Sequence, residues 1–377
     1  MKDTTNIQVS EDKLNRNLAD FFSSDPELAQ AIISDAGYNI DEIVSKTLKI
    51  IDEAKRNRRL DIKAQSDQLL RSLYSGLSLI ASLSRGESTK FTPAFHRNFE
   101  GMNESDKNSM LNDEALLSEW ESHYSPTKPP DLSNPEDLIN FFAVTSPKDI
   151  DLQAIAFECN VLIEEKQIDG AEGRLVCRDL TGLITIDSKI TERTRKRFTV
   201  AHELGHFMMH RSNALSVCKN LFNARTNSES EANKFGANLL MPRNLFRARC
   251  EPNLFSCNLL KDLANTFDTS LTATALQYSE IGPVPIAVVY SKAGKISWPP
   301  KISEGFPLKN IQKSGKIPEA SVAASCYNRG TNPQGPSALD SSVWFSDSQS
   351  SPKRIFEDCV YMPNYESVLS IIWMHNG

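Results

Sequence analysis

Residues 198–207 read FTVAHELGHF and contain two histidines four positions apart. On a helix, residues four apart lie about 40° apart around the axis and one turn along it. His202 and His206 therefore point the same way, close enough to hold one metal ion. Glu203 follows the first histidine and can reach a water on that metal. The H-E-x-x-H pattern predicts a zinc site on a helix over 191–210, with Glu203 as the general base.

A catalytic zinc site needs a third protein ligand and leaves its fourth position to water. His210 follows His206 without an intervening glycine, and on a continuous helix it lies too far along the axis to share the ion. The alternative is a carboxylate on a following helix, and residues 229–242 read ESEANKFGANLLMP, an amphipathic pattern. Either Glu229 or Glu231 could face the metal. Glu231 is the favoured third ligand, because it is next to Ala232 on the face that packs.

Composition excludes several classes of protein. The 377 residues are 40% hydrophobic and 24% charged, which is ordinary for a folded protein, and the net charge is −6. A surface built to coat nucleic acid would be basic. The polar start of the sequence and the absence of a long apolar stretch predict neither a signal peptide nor a membrane span. Seven scattered cysteines without a C-x-x-C pair predict free thiols in the cytoplasm.

The pattern along the chain predicts an α+β fold in three parts. A helical N-terminal region over 1–125 ends at a proline-rich segment that reads SPTKPP at 125–130. The metal-site domain follows over 131–282, and a small mixed C-terminal domain covers 283–377. Within the middle part we predict these elements: helices over 136–142 and 148–158, a strand over 160–164, a hairpin of strands 173–177 and 182–187, and two short helices over 261–281.

The motifs resemble the ImmA/IrrE family of metallopeptidases. The resemblance rests on RFTVAHELGH at 197–206, EAN at 231–233 and LLMP at 239–242, and it extends from about 150 to 281. It implies a gluzincin-like domain that holds one Zn²⁺ per chain on His202, His206 and Glu231, with Glu203 as the base. Imidazole and carboxylate accept other divalent metals too.

The resemblance also implies a substrate and a place of action. Members of the family cut transcriptional repressors of the helix-turn-helix type and so relieve repression. Residues 263–270, LANTFDTS, resemble the helix-turn-helix-like segment that follows the protease part, although the 261–281 stretch lacks the cluster of basic residues that a DNA reader needs. The N-terminal 125 residues are not part of the minimal family and could be a sensor or a docking region.

Two functions follow from these residues. The first is a zinc endopeptidase, in which the strand over 183–187 pairs with an extended substrate and a tyrosine such as Tyr278 stabilises the oxyanion. The alternative is a non-catalytic binding module whose metal is structural and which sequesters a repressor or contacts DNA.

Overall fold

A computed structural model describes residues 39–83, 104–124, 132–210, 215–218, 227–250, 255–311, 315–348 and 353–374. The chain forms two compact units, Met1–Ile62 and Lys63–Gly377. The described residues form helices and two β-sheets, which confirms the α+β class. The parts of the predicted N-terminal helical region at 1–38 and 84–103 lie outside the described residues. Among the helices that are described, none is apolar over a length sufficient to cross a membrane.

Helix α1, Ile40–Leu83, is the first described element of the N-terminal region. It begins after Asn39, whose side chain accepts a hydrogen bond from the Glu42 backbone N–H at 3.2 Å, as expected at a helix start. In the first unit, the side chains of Val44, Leu48 and Ile51 are exposed.

The first sheet of the second unit has four described strands. They are β1 (Val161–Lys166), β2 (Gly173–Arg178), β3 (Thr181–Asp187) and β4 (Leu215–Cys218). Their order is β1-β3-β2-β4, with β1 parallel to β3 and the other pairs antiparallel. The predicted β2–β3 hairpin is confirmed, with Asp179 at a positive φ of 35° in its turn. Because β3 is an inner strand, the prediction that its residues 183–187 pair with a substrate is wrong.

One face of this sheet packs on α4 (Leu152–Glu158) and α5 (Arg193–His210). The other helices of the middle part contribute to the same core. They are α3 (Pro135–Phe141), α6 (Asn227–Leu240), α7 (Arg243–Arg247), α8 (Cys257–Phe267) and α9 (Leu271–Ile281). Helix α4 starts later than predicted, because the Asp151 side chain accepts hydrogen bonds from two backbone N–H groups and caps it. Residues 147–149 before that cap form only a short 3₁₀ turn.

The opposite face of the sheet packs on the N-terminal region. Helix α2 (Glu104–Tyr124) and the part of α1 in the second unit bury a second apolar cluster against the strands. Its fully buried members are Leu73, Met110, Leu116, Leu117, Trp120, Leu162, Val176 and Leu183. Helix α2 thus completes the core of the sheet, and the domain limit near residue 125 stays a prediction from the sequence.

The C-terminal part forms a second sheet around two long central strands. Its strands are β5 (Ile286–Lys292), β6 (Lys295–Ile296), β7 (Lys301–Ile302), β8 (Ser337–Asp340), β9 (Arg354–Met362) and β10 (Ser367–Trp373). The order is β6-β5-β10-β9-β8, and β7 also pairs with β5. Helix α10 (Val322–Arg329) covers one face, while alternate residues of β5 and β10 on the other face join the core of α8 and α9.

Candidate metal centre

The two histidines of the H-E-x-x-H stretch lie side by side on α5. Their ring centroids are 4.7 Å apart and their Nε2 atoms are 3.1 Å apart. His202 is fully buried and His206 is 5% exposed. This is the arrangement expected from the four-residue spacing, because both rings project from the same face of one helix.

Helix α6 brings a carboxylate to the same point. One oxygen of Glu229, Oε2, lies 3.4 Å from His202 Nε2, and the other, Oε1, lies 3.3 Å from His206 Nε2. In the part of the chain that the structure describes, these three residues form one group whose ligand atoms all lie within 4.8 Å of one another. The Glu229 side chain is 27% exposed, so the group is open on the α6 side.

Glu231, the predicted third ligand, is exposed and does not belong to this group. The reason is the phase of the helix: residues two apart differ by about 200°, so Glu229 and Glu231 face nearly opposite ways. Ala232 is buried, yet its neighbour in sequence lies about 100° away from it around the axis. Glu229 is three residues before Ala232, which places it one turn away on the packed side. The structure therefore places Glu229, the alternative carboxylate, beside the two histidines, and it places Glu231 outside that group.

Close packing of α5 on α6 allows these contacts. A Cβ on Gly236 would lie 3.2 Å from the His202 backbone nitrogen, and one on Gly205 would lie 3.1 Å from Phe235 Cβ. Both contacts are tighter than ordinary side-chain packing, so glycine lets the helix backbones approach. This approach places Asn233, one turn after Glu229, beside the first histidine.

Asn233 orients the first histidine. Its Oδ1 accepts a hydrogen bond from His202 Nδ1 at 2.9 Å, which leaves the Nε2 lone pair of that ring directed at Glu229 and His206. A hydrogen bond on the ring nitrogen away from the metal is the usual support for a ligating histidine. Asn233 belongs to the EAN stretch at 231–233, but the sequence does not show that its side chain contacts His202.

The protonation states of the group favour a cation. Burial lowers the pKa of His202, so its ring is neutral and its lone pair is available. The adjacent rings of His202 and then His206 lower the pKa of Glu229 well below its usual range, so its carboxylate is ionised. Neutral imidazole and ionised carboxylate are the forms that bind metals.

The spacing of the three donors fits a zinc ion. In a tetrahedral site with bonds of about 2.0–2.1 Å, neighbouring ligand atoms lie about 3.3–3.4 Å apart. The two imidazole nitrogens are 3.1 Å apart, and each lies 3.3–3.4 Å from a different oxygen of the Glu229 carboxylate, so the group is of the size that a zinc ion needs. Two imidazole nitrogens with one carboxylate are also a ligand set found in catalytic zinc sites, which keep one position open.

Glu203 is fully buried between α5 and the start of β2. A Cβ on Gly173 would lie 3.0 Å from Glu203 Oε1 and 2.4 Å from the Thr199 methyl group. Glycine at the first position of β2 therefore makes room for the carboxylate of Glu203. Sequence reasoning identified Glu203 but missed Gly173, which no local motif marks.

Tyr278, the sequence candidate for stabilising the oxyanion, is fully buried and lies within the core. Its ring packs against Phe255 at 5.1 Å and Phe246 at 6.2 Å between centroids. A side chain enclosed by these rings cannot reach a substrate.

The predicted pair of short helices over 261–281 is confirmed as α8 and α9. Asp268, at a positive φ of 53°, forms the turn and pairs with Arg193 at 2.7 Å and with Arg197 at 3.3 Å. These ion pairs tie the turn to the start of α5.

Residues 157–276 match the model of the family Peptidase_M78, described as the IrrE N-terminal-like domain. This match confirms the resemblance to the ImmA/IrrE family, and it includes both histidines, Glu203 and Glu229. It covers less than half of the chain. A solved structure of a Mycobacterium tuberculosis transcriptional regulator is similar with a TM-score of 0.42 and 14% identity, over 64% of this chain and 76% of that one. No curated protein sequence matches the chain.

Proposed function

We propose that the chain is a zinc-dependent endopeptidase of narrow substrate specificity. Its target would be a helix-turn-helix transcriptional repressor. The observation that carries the proposal is the convergence of His202 Nε2, His206 Nε2 and the Glu229 carboxylate at one point. The family match supports a peptidase-type domain around them. The repressor as substrate is supported by the sequence resemblance to the ImmA/IrrE family.

His202, His206 and Glu229 would hold the metal. Zinc in such a site supplies a Lewis acid and lowers the pKa of a coordinated water towards neutrality. The one carboxylate in the set leaves a net positive charge when a divalent ion binds. Asn233 would keep the His202 ring in the orientation that binding needs.

Glu203 would be the general base of the reaction. Its carboxylate takes a proton from the attacking water and passes it to the nitrogen of the leaving amine, a role worth about 10²–10⁴-fold in rate. The buried position beside Gly173 holds the carboxylate on the helix that carries both histidines. A peptide carbonyl would enter from the side on which Glu229 is exposed.

The edge strand β4 is the place where an extended substrate would pair. Its backbone is bonded to β2 on one side, and it ends the sheet in the strand order of the described residues. An extended peptide can add a strand to such an edge through main-chain hydrogen bonds. Strand β4 follows α5 in the chain and pairs with the strand that begins at Gly173.

The test is a survey of new protein N-termini in host cells that produce the wild type, Glu203→Gln or Glu231→Gln. The second variant is a matched control, because it makes the same acid-to-amide change on an exposed residue outside the site. We expect one or a few cuts in a DNA-binding repressor with the wild type and the control. With Glu203→Gln we expect these cuts to fall by about 10²–10⁴-fold while the zinc content stays the same.

Cleavage by Glu203→Gln at the wild-type rate would contradict the proposed mechanism. If all three proteins hold zinc and none generates new N-termini under stress or at rest, the chain acts as the non-catalytic alternative, a regulatory module with a structural metal.

A further inference from the structure

Helix α10 is fixed on the C-terminal sheet at its first turn by a buried glutamate of β9. Both carboxylate oxygens of Glu357 accept backbone hydrogen bonds, from Val322 at 2.8 Å and from Ala323 at 3.2 Å. The Trp344 Nε1–H donates to the same carboxylate at 2.9 Å. The start of α10 is thus held at one position along the strand.

Further along the chain, α10 carries Cys326 and β9 carries Cys359. Residues two apart on a strand face the same side, so Cys359 faces α10 as Glu357 does, about 7 Å further along β9. Cys326 lies one turn after Val322 on the buried side of α10, about 5–6 Å along its axis. The two thiols are buried in one core cluster, and each influences the pKa of the other.

Each of the two cysteines lines a cavity. A cavity of about 700 Å³ between α10 and the loop of residues 331–337 is lined by Cys326 and Arg329. A second cavity of about 350 Å³ on the other side of this loop is lined by Cys359 and Cys257. A small reagent in the larger cavity therefore meets Cys326 although that residue is only 2% exposed.

The surroundings of the two thiols differ. Its interaction with Cys359 lowers the pKa of Cys326, although burial acts in the opposite direction. Burial raises the pKa of Cys359, whose Sγ also lies 3.3 Å from Glu357 Oε1 and 3.4 Å from Ser370 Oγ. Since the thiolate is the reactive form, Cys326 is the better nucleophile and Cys359 the better resolving thiol.

We propose that Cys326 and Cys359 form a site that reacts with hydroperoxides and closes to a disulfide. The Cys326 sulfur attacks one oxygen of the peroxide, the O–O bond breaks, and Cys326 becomes a sulfenic acid while water or an alcohol leaves. The Cys359 sulfur then attacks the Cys326 sulfur, the S–O bond breaks, and a second water leaves with the thiol proton. The two thiols are oxidised and the peroxide is reduced. This site lies in the C-terminal sheet and is independent of the proposed peptidase activity.

The test uses the full chain, hydrogen peroxide in small excess and intact-mass measurement followed by peptide mapping. We expect the wild type to lose two hydrogens, about 2 Da, with a cross-linked peptide that joins Cys326 to Cys359 and that dithiothreitol separates. With Cys359→Ser, a dimedone adduct should instead mark Cys326. With Cys326→Ser, neither the cross-link nor an adduct on Cys359 should form. Cys250→Ser is the matched control, since burial raises the pKa of that half-buried thiol to about 11, and it should behave as wild type.

Peptide mapping of the wild type decides the matter even if a buried cysteine variant folds poorly. A cross-link that joins Cys257 to Cys359 would overturn the proposal. Oxidation of Cys250 while Cys326 and Cys359 remain thiols would also overturn it.

Discussion

The two faces of the four-stranded sheet carry buried polar groups of different kinds. On the face covered by α2, the guanidinium of Arg174 donates to Asp113 at 2.5 Å and to Ser109 at 3.1 Å. On the face covered by α5, two imidazoles and the Glu229 carboxylate converge with 3.1–3.4 Å between their ligand atoms. The first face matches a cation to an anion within the protein. The second assembles cation-binding groups around one point, as a metal site does.

A single strand serves both faces. Gly173 begins β2 and leaves space for Glu203 on the α5 side, and the next residue, Arg174, projects to the α2 side. This alternation follows from the two-residue period of a strand. Substitutions on the two faces should therefore have different effects. Those on the α2 side should lower stability, and those on the α5 side should lower metal affinity.

The largest expected effect on stability is that of Asp113→Ala. It leaves the Arg174 guanidinium, 2% exposed, buried without its anion, which should lower the free energy of unfolding by about 3–5 kcal/mol. Urea unfolding measures this loss. A second variant that combines Asp113→Leu with Arg174→Met should recover most of it, since apolar pairs replace buried ion pairs well. The zinc affinity of the folded Asp113→Ala protein should not change. A loss of zinc affinity in this variant would contradict the separate roles of the two faces.

The next largest effect is that of Asn233→Ala on metal affinity. Removing the hydrogen bond that orients His202 should weaken zinc binding by about 10–100-fold. Lys234→Ala, an exposed change on the same helix, is the control and should bind as wild type. Competition with a chelator of known affinity measures both. Equal affinities of the two variants would show that Asn233 does not support the site.

The smallest effect is expected for Lys166→Met. The Lys166 amine lies 3.6 Å from Asp113, but its side chain is 38% exposed, so solvent screens the pair. Urea unfolding should show a loss below about 1 kcal/mol. A loss as large as that of Asp113→Ala would mean that the lysine, rather than Arg174, balances the buried carboxylate.

Much of the fold around the site could be predicted from the sequence. The hairpin of β2 and β3, helix α5 and the helical pair α8–α9 have local signals, and the structure contains all of them. The packing of α2 on the sheet could not be predicted, because it depends on contacts such as that of Asp113 with Arg174, which are 61 residues apart.

The candidate site divides in the same way. His202, Glu203 and His206 follow from one helical spacing, so local reasoning finds them. The third member depends on which face of α6 turns towards α5, and proximity in sequence to Ala232 predicted Glu231 instead of Glu229. The signal that sets the phase of α6 is the contact of Asn233 with His202, a tertiary contact that the sequence does not display.

The most direct test of the central claim is the zinc content and zinc affinity of the wild type, Glu229→Gln and Glu231→Gln, measured on metal-free protein titrated with zinc. We predict one zinc per chain for the wild type and for Glu231→Gln with equal affinity. We expect the zinc affinity of Glu229→Gln to fall by at least about 100-fold, the largest loss that the removal of a residue supporting a ligand causes. Full zinc binding by Glu229→Gln together with its loss in Glu231→Gln would contradict the site described here, as would a wild-type chain that binds no zinc.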